Sequence, residues 1–155
     1  MKNLKLKSYL DIAQLYADNL GGCRKVHVGS IVVKNGRVIG MGANRTIPDL
    51  CECRGCLRIE KYGNDSKVHR NPEDCRAIHS EIDAIANLSE RADGATIYVT
   101  RYPCESCAKA IVAAGIKNVW YGGTAKVSQQ TMEIFDSEHV GCYHIRDWKQ
   151  DNTDR

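Results

Sequence analysis

From Ile78 to Ile145 the sequence switches regularly between helical and strand-like runs, and that alternation leaves few folds open to it. Ile78–Ser89 reads as helix, Ala95–Thr100 as strand, Cys104–Ala114 as helix, Asn118–Tyr121 as strand, Val127–Phe135 as helix and Tyr143–Ile145 as a last short strand. Strands separated by helices connect through right-handed crossovers, so these strands are expected to lie parallel in one sheet. Upstream, Val26–Val33 and Arg37–Gly42 are β-branched runs joined by Lys34-Asn35-Gly36, and Asn-Gly between two such runs predicts an antiparallel hairpin added to that sheet. Before it, Tyr9–Leu20 sets Leu10, Ala13, Ala17 and Leu20 near one helical face, and Gly21-Gly22 ends the helix. The expected fold class is α/β.

The 155 residues, 43% hydrophobic and 26% charged, fit one domain spanning 1–155. One stretch resists that reading. From about 45 to 75 the chain carries Pro48, Pro72, scattered charges and four cysteines without strong periodicity, so something other than apolar burial is expected to hold this insert. The excess of 22 Lys and Arg over 19 Asp and Glu is too small for the dense basic face that nucleic acid demands, though it allows a local anionic site. No window reaches the ~18 apolar residues a membrane span needs, and Met1–Lys7 has no apolar signal core behind it. The expectation is a cytoplasmic protein.

Eight cysteines in such a chain point to metal or thiolate chemistry, because a reducing compartment disfavours disulfides. They stand at 23, 51, 53, 56, 75, 104, 107 and 142, around the pairs Cys53/Cys56 and Cys104/Cys107. Cys142, alone in a strand, is read as a small inert hydrophobe. Cys104 and Cys107 follow Pro103 at the start of a helix, where a three-residue spacing points both sulfurs to one side and the helix terminus favours thiolates. His79 opens the preceding helix and offers a third ligand, which leaves one position of a tetrahedral zinc open to water. Glu81 lies two residues on, about 200° around a regular helix, so it shares a site with His79 only if the pair straddles the helix start. A carboxylate there can take the proton of a water whose pKa zinc has lowered, which makes Glu81 the candidate catalytic base.

His79-Ser80-Glu81 followed by Pro103-Cys104-Glu105-Ser106-Cys107 is the signature order of zinc nucleobase deaminases. Taken with Cys23-Arg24-Lys25-Val26-His27-Val28-Gly29-Ser30-Ile31-Val32-Val33, with Gly42-Ala43-Asn44, with Cys75-Arg76-Ala77-Ile78 and with Ala114-Gly115-Ile116-Lys117, it makes the chain resemble the cytidine and deoxycytidylate deaminase superfamily, most closely the dCMP deaminases, from Tyr9 to Ile145. The resemblance implies a three-layer α/β/α fold around a five-stranded mixed sheet. It also implies that Asn44 bonds the sugar, that Ser80, where Ala is usual, offers its backbone to the pyrimidine, and that Tyr102 lines the base pocket. Asn44 reads equally well as a turn residue and Tyr102 as core. Homo-oligomers occur in the family and are expected here.

Two departures leave the substrate open. Ile82-Asp83-Ala84 replaces the family's Gln-Asn-Ala, putting an acid where an amide is expected, and a carboxylate near a phosphate repels it. Arg45-Thr46-Ile47-Pro48 replaces a small turn, with Arg45 itself able to bind phosphate. The expected activity is zinc-dependent hydrolytic deamination of a free pyrimidine nucleotide, dCMP first, with another nucleoside, nucleobase or modified nucleotide as the alternative. Behind these stand a nucleic-acid base deaminase and a non-catalytic zinc protein. A second, structural zinc is the economical account of the insert. The family's pairing of a pre-strand Cys with one four residues before the catalytic His favours Cys23, Cys51, Cys56 and Cys75 as its ligands; Cys53 can replace Cys51, and His69 can stand in for either.

Overall fold

The computed structural model describes residues 2–23, 25–46, 56–63 and 75–147, so Cys51, Cys53 and His69 lie outside the described residues. Helix α1 (Lys2–Leu20) leads to strands β1 (Gly29–Lys34) and β2 (Arg37–Ala43), then to the short β3 (Arg45–Thr46), helix α2 (Leu57–Tyr62) and the short β4 (Ala77–Ile78). Helix α3 (Ser80–Ala86), strand β5 (Thr96–Val99), helix α4 (Glu105–Ala113), strand β6 (Asn118–Tyr121), helix α5 (Gln129–Ser137) and strand β7 (Gly141–His144) follow, ending in a 3-10 turn over Ile145–Asp147.

The main sheet has the order β2-β1-β5-β6-β7. Asn35 and Gly36 both have positive φ, 50° and 75°, as a two-residue primed turn requires, and they fold β2 antiparallel onto β1. β1 also runs antiparallel to β5, whereas β5, β6 and β7 are mutually parallel. The sheet is therefore mixed, as expected. No helix among the described residues is long and apolar enough to cross a membrane.

Alternation along the strands divides the apolar residues between two faces. Ile31 and Val33 of β1 and Tyr98 of β5 pack with Leu6 and Ala13 of α1. Val32, Ile97, Val99 and Val119 point the other way, onto Ala84 of α3, Ala108 and Ile111 of α4 and Phe135 of α5. Helices thus cover both faces. Leu6 extends the first helix beyond the predicted Tyr9 start, because its side chain buries against the β1 and β5 residues of its face.

α3 lies directly on β2 at one point. A side chain at Gly42 would collide with the Ser80 carbonyl oxygen and the Ala84 nitrogen, so glycine there lets the helix reach the strand. Sequence periodicity misses two local features. β3 and β4 form a separate two-stranded pair, with Arg45 opposite Ile78 and Thr46 opposite Ala77, and six residues of the insert form α2. Strands of two residues show no alternation to read.

Candidate active site

The site forms where β5 ends beside the start of β1. Thr100 donates its backbone N–H to Gly29 O at 3.0 Å, and its hydroxyl accepts from Gly29 N at 3.0 Å, which fixes this corner of the sheet. Carboxyl ends of parallel strands are the usual place for ligands in open α/β sheets. Beyond the corner, Pro103 leads to Cys104, which caps α4 with extended backbone (φ −79°, ψ 171°). His79 caps α3 in the same manner (φ −70°, ψ 149°). Both residues thus stand before their helices, and α3 begins at Ser80, two residues later than the helical run read from Ile78.

His79 Nδ1 is 3.4 Å from Cys104 Sγ and 3.3 Å from Cys107 Sγ, and the three ligand atoms all lie within 4.8 Å of one another. A tetrahedral ion with bonds of ~2.0–2.3 Å sets its ligand atoms roughly 3.5 Å apart, so the spacing and the mixture of imidazole and thiol suit a metal of the zinc type. The group can hold such an ion. Cys107 is wholly buried in the third position of α4, whereas Cys104 is exposed.

The protonation pattern follows from the crowding. Hydrogen bonding to Cys104, then to Cys75, raises the His79 pKa to about 10 against the opposing effect of burial. The Cys104 thiol is lowered to about 4, first by a hydrogen bond from Cys107 and then by His79. Cys107 is pushed far up by its bond to Cys104, by burial and by the charge of Glu81. Without metal the triad is therefore an imidazolium, a thiolate and a thiol. The Cys75 thiol is lowered in turn, chiefly by its hydrogen bond with His79.

Glu81, 4% exposed, occupies the second position of α3. Burial raises its pKa, partly offset by backbone hydrogen bonding and by the charge of His79. Ser80 donates to Glu81 Oε2 at 3.1 Å, and the Ser80 and Ser30 hydroxyl oxygens are 2.7 Å apart, both side chains fully buried. Nothing in the sequence signals Ser30 except its position as the one hydroxyl in an apolar β1 run.

Asn44 does not adopt the left-handed backbone of a turn residue; positive φ outside glycine occurs, among the described residues, at Asn35 and His139. Its amide instead holds the segment before β1, with Oδ1 accepting from Val28 N at 2.9 Å and Nδ2 donating to Val26 O at 2.8 Å. Tyr102, 8% exposed, meets the Tyr121 ring edge-on with centroids 4.9 Å apart. Arg45 donates through Nε to Asp83 Oδ1 at 2.8 Å. The acid expected to repel a phosphate is thus neutralised by the base of the other departure. Of the cysteines favoured for a second metal, Cys23, Cys56 and Cys75 are half-buried, and among the described residues the group able to hold a metal is His79, Cys104 and Cys107.

A carboxylate buried against a metal-competent His/Cys/Cys group, on a cytidine-deaminase-like α/β fold, defines the class: a hydrolytic deaminase. Residues 7–141 match the MafB19-like deaminases, and the chain belongs to that family. It is 36% identical over 123 residues to ComE operon protein 2 of Bacillus subtilis (strain 168), covering 76% of this chain and 59% of that protein. It is also 36% identical over 117 residues to the deoxycytidylate deaminase of Mycobacterium phage D29, covering 73% of this chain and 90% of the phage enzyme. Among solved structures, the dCMP deaminase of cyanophage S-TIM5 in complex with dCMP and dUMP superposes with a TM-score of 0.72 at 28% identity, covering 93% of this chain and 98% of that one.

Proposed function

We propose that this protein deaminates dCMP to dUMP with release of ammonia, using zinc held by His79, Cys104 and Cys107 and Glu81 as the proton carrier. The observation that carries the reading is the burial of Glu81 beside the two sulfurs and the imidazole, on a fold shared with an enzyme crystallised with both dCMP and dUMP. Zinc, when bound, supplies Lewis acidity that brings the pKa of a water molecule toward ~7.

The chain's own residues do the rest. Water adds at C4 of the cytosine while Glu81 takes its proton and passes it to N3. Glu81 then carries the second proton to the amino group, the C4–N4 bond breaks, and ammonia leaves. Its raised proton affinity suits both transfers, since a base must hold the proton long enough to hand it on. Ser80 donates to Oε2 and so helps fix the orientation of the carboxyl group that moves the proton. Asn44 spends one amide hydrogen on Val26 and keeps the other for a sugar hydroxyl. Tyr102, packed against Tyr121, offers a rigid wall to the base.

The net charge of +3 favours a free nucleotide over a polynucleotide. The same reading has the protein acting in the cytoplasm as a homo-oligomer, which light scattering on the purified chain checks. The test of function is ammonia release from cytosine, adenine and guanine compounds at base, nucleoside and nucleotide level. dCMP is expected to be the preferred substrate. Turnover confined to a purine would overturn the assignment.

A further inference from the structure

Arg45 and Asp83 are the charged residues of the two segments at which the chain departs from the pattern it resembles, and they meet. Asp83 is 3% exposed, and a buried carboxylate is tolerated only when charged and polar partners satisfy it. It has three: Arg45 Nε at 2.8 Å and Asn87 Nδ2 at 3.4 Å on Oδ1, and Ala43 N at 3.2 Å on Oδ2. The pair also brackets His79. Arg45 lies opposite Ile78 in the β3–β4 ladder, one residue before His79, and Asp83 donates its backbone N–H to His79 O at 2.9 Å.

The two members of the pair differ in exposure. Arg45 remains 42% exposed, so the cation is the member of the pair accessible to a ligand, with the carboxylate shielded behind the surface. Asp83 engages one of the five guanidinium N–H donors, and among the described residues it is the one hydrogen-bond acceptor of the Arg45 side chain. A planar fork fixed through Nε presents its outer N–H groups in a set direction, which suits a phosphate far better than a freely rotating arginine does.

We propose that Arg45 is the specificity-determining residue that recognises the 5′-phosphate of the nucleotide, and that Asp83 is the positioning residue that aims it. This rests on the dCMP reading. The departures then compensate each other: the acid in place of an amide is the anchor for the added base.

The experiment measures kcat/KM for dCMP and for deoxycytidine with zinc content determined for every variant. In Arg45→Ala the ratio of the two values is expected to fall about 10- to 150-fold, the effect of one lost charge-assisted hydrogen bond, and to fall through KM for dCMP. Arg45→Lys should recover part of it, as a point charge without the fork. Asp83→Asn restores the family's residue and so tests positioning without a gross packing change. An asparagine has one acceptor oxygen where Asp83 uses two, so it cannot serve both Ala43 N and Arg45 Nε. The ratio should fall in the same direction by less than in Arg45→Ala, and the double variant should match Arg45→Ala alone. A wild type that prefers dCMP, with the ratio unmoved in Arg45→Ala, would overturn this inference and leave the function standing. An Asp83→Asn effect that adds fully to Arg45→Ala, or a tighter KM in Asp83→Asn, would overturn the positioning role. A wild type that deaminates neither compound would remove the dCMP reading and this inference with it.

Discussion

The Ser30 and Ser80 side chains, 50 residues apart in sequence, place their hydroxyl oxygens 2.7 Å apart in a position closed to solvent, tying β1 to the first residue of α3. Because Ser80 donates to Glu81, Ser30 must donate to Ser80, so the hydrogen bonds run in one direction toward the carboxylate. Removing the middle of this chain strands both ends. Ser80→Ala should cost about 1–3 kcal/mol in denaturant unfolding, the penalty of an orphaned buried hydroxyl, and more than Ser30→Ala, which leaves the Ser80–Glu81 bond intact. The double variant should cost less than the sum of the two. Equal and additive losses would show that the hydroxyls do not act as a unit.

Glu81→Gln should keep its metal and lose roughly 10²–10⁴ in turnover, the usual contribution of general acid–base catalysis. It should also be the more stable protein without metal. Burial raises the Glu81 pKa above the ordinary carboxylate value of 4.5, so the folded state holds a proton that the unfolded chain releases as pH rises. Stability from this group is complete below about 4.5 and is lost as pH climbs through the raised folded value. Metal-free Glu81→Gln should therefore melt above wild type near pH 7, with the gap closing in acid. A variant no more stable at pH 7 than at pH 4, relative to wild type, would contradict the buried-carboxylate account.

Loading the triad with zinc should release protons. With His79 raised to about 10 and Cys107 pushed up, both hold a proton at pH 7, while Cys104 at about 4 has already lost its own. Ligation requires a neutral imidazole and two thiolates, so one proton leaves His79 and one leaves Cys107, two in all. Titration of metal-free Cys56→Ser, which keeps this site, in a weakly buffered indicator solution should read about two protons per zinc. Affinity should rise about a hundredfold per pH unit between roughly pH 5 and 9. Release of one proton or none would mean that the thiols are not arranged as a thiolate–thiol pair.

The legible parts of this molecule are those that local pattern encodes. Alternating runs announced parallel strands, and β5 indeed sets Ile97 beside Val119 of β6. Asn35-Gly36 announced the hairpin through the positive-φ backbone that both residues tolerate well. Cys104 and Cys107 could be grouped because residues three apart at a helix start are neighbours by geometry. The Ser30–Ser80 and Arg45–Asp83 contacts, 50 and 38 residues apart, depend instead on α3 lying against β2 at Gly42, and no periodicity in the chain carries that information. The acid at position 83 was therefore legible as a departure but not as half of an ion pair.

A second zinc in the insert is an expectation of the sequence, with Cys23, Cys56 and Cys75 as its ligands within the described residues; the group of described residues whose ligand atoms already lie together is His79, Cys104 and Cys107. Gly22, next to Cys23, donates to Asn44 O at 2.9 Å, and Asn44 leads straight into β3. β3 pairs with β4, where Thr46 faces Ala77, two residues after Cys75. From the third direction, the Arg58 charge in α2 helps lower the Cys75 thiol, and Cys56 caps that helix. A two-residue strand pair and a six-residue helix with no buried residue need a stronger tie than apolar packing, and the half-buried thiols of Cys23, Cys56 and Cys75 are donors that a metal can draw together. Cys51, favoured as the fourth ligand, lies outside the described residues. Elemental mass spectrometry on protein purified without added metal should give two zincs per chain. Cys56→Ser should retain one, at His79, Cys104 and Cys107, and should unfold at a lower temperature; Cys56 is the better variant because Cys75 touches His79 and its loss would disturb both sites. One zinc in the wild type, with Cys56→Ser unchanged in metal and in melting temperature, would falsify the second site.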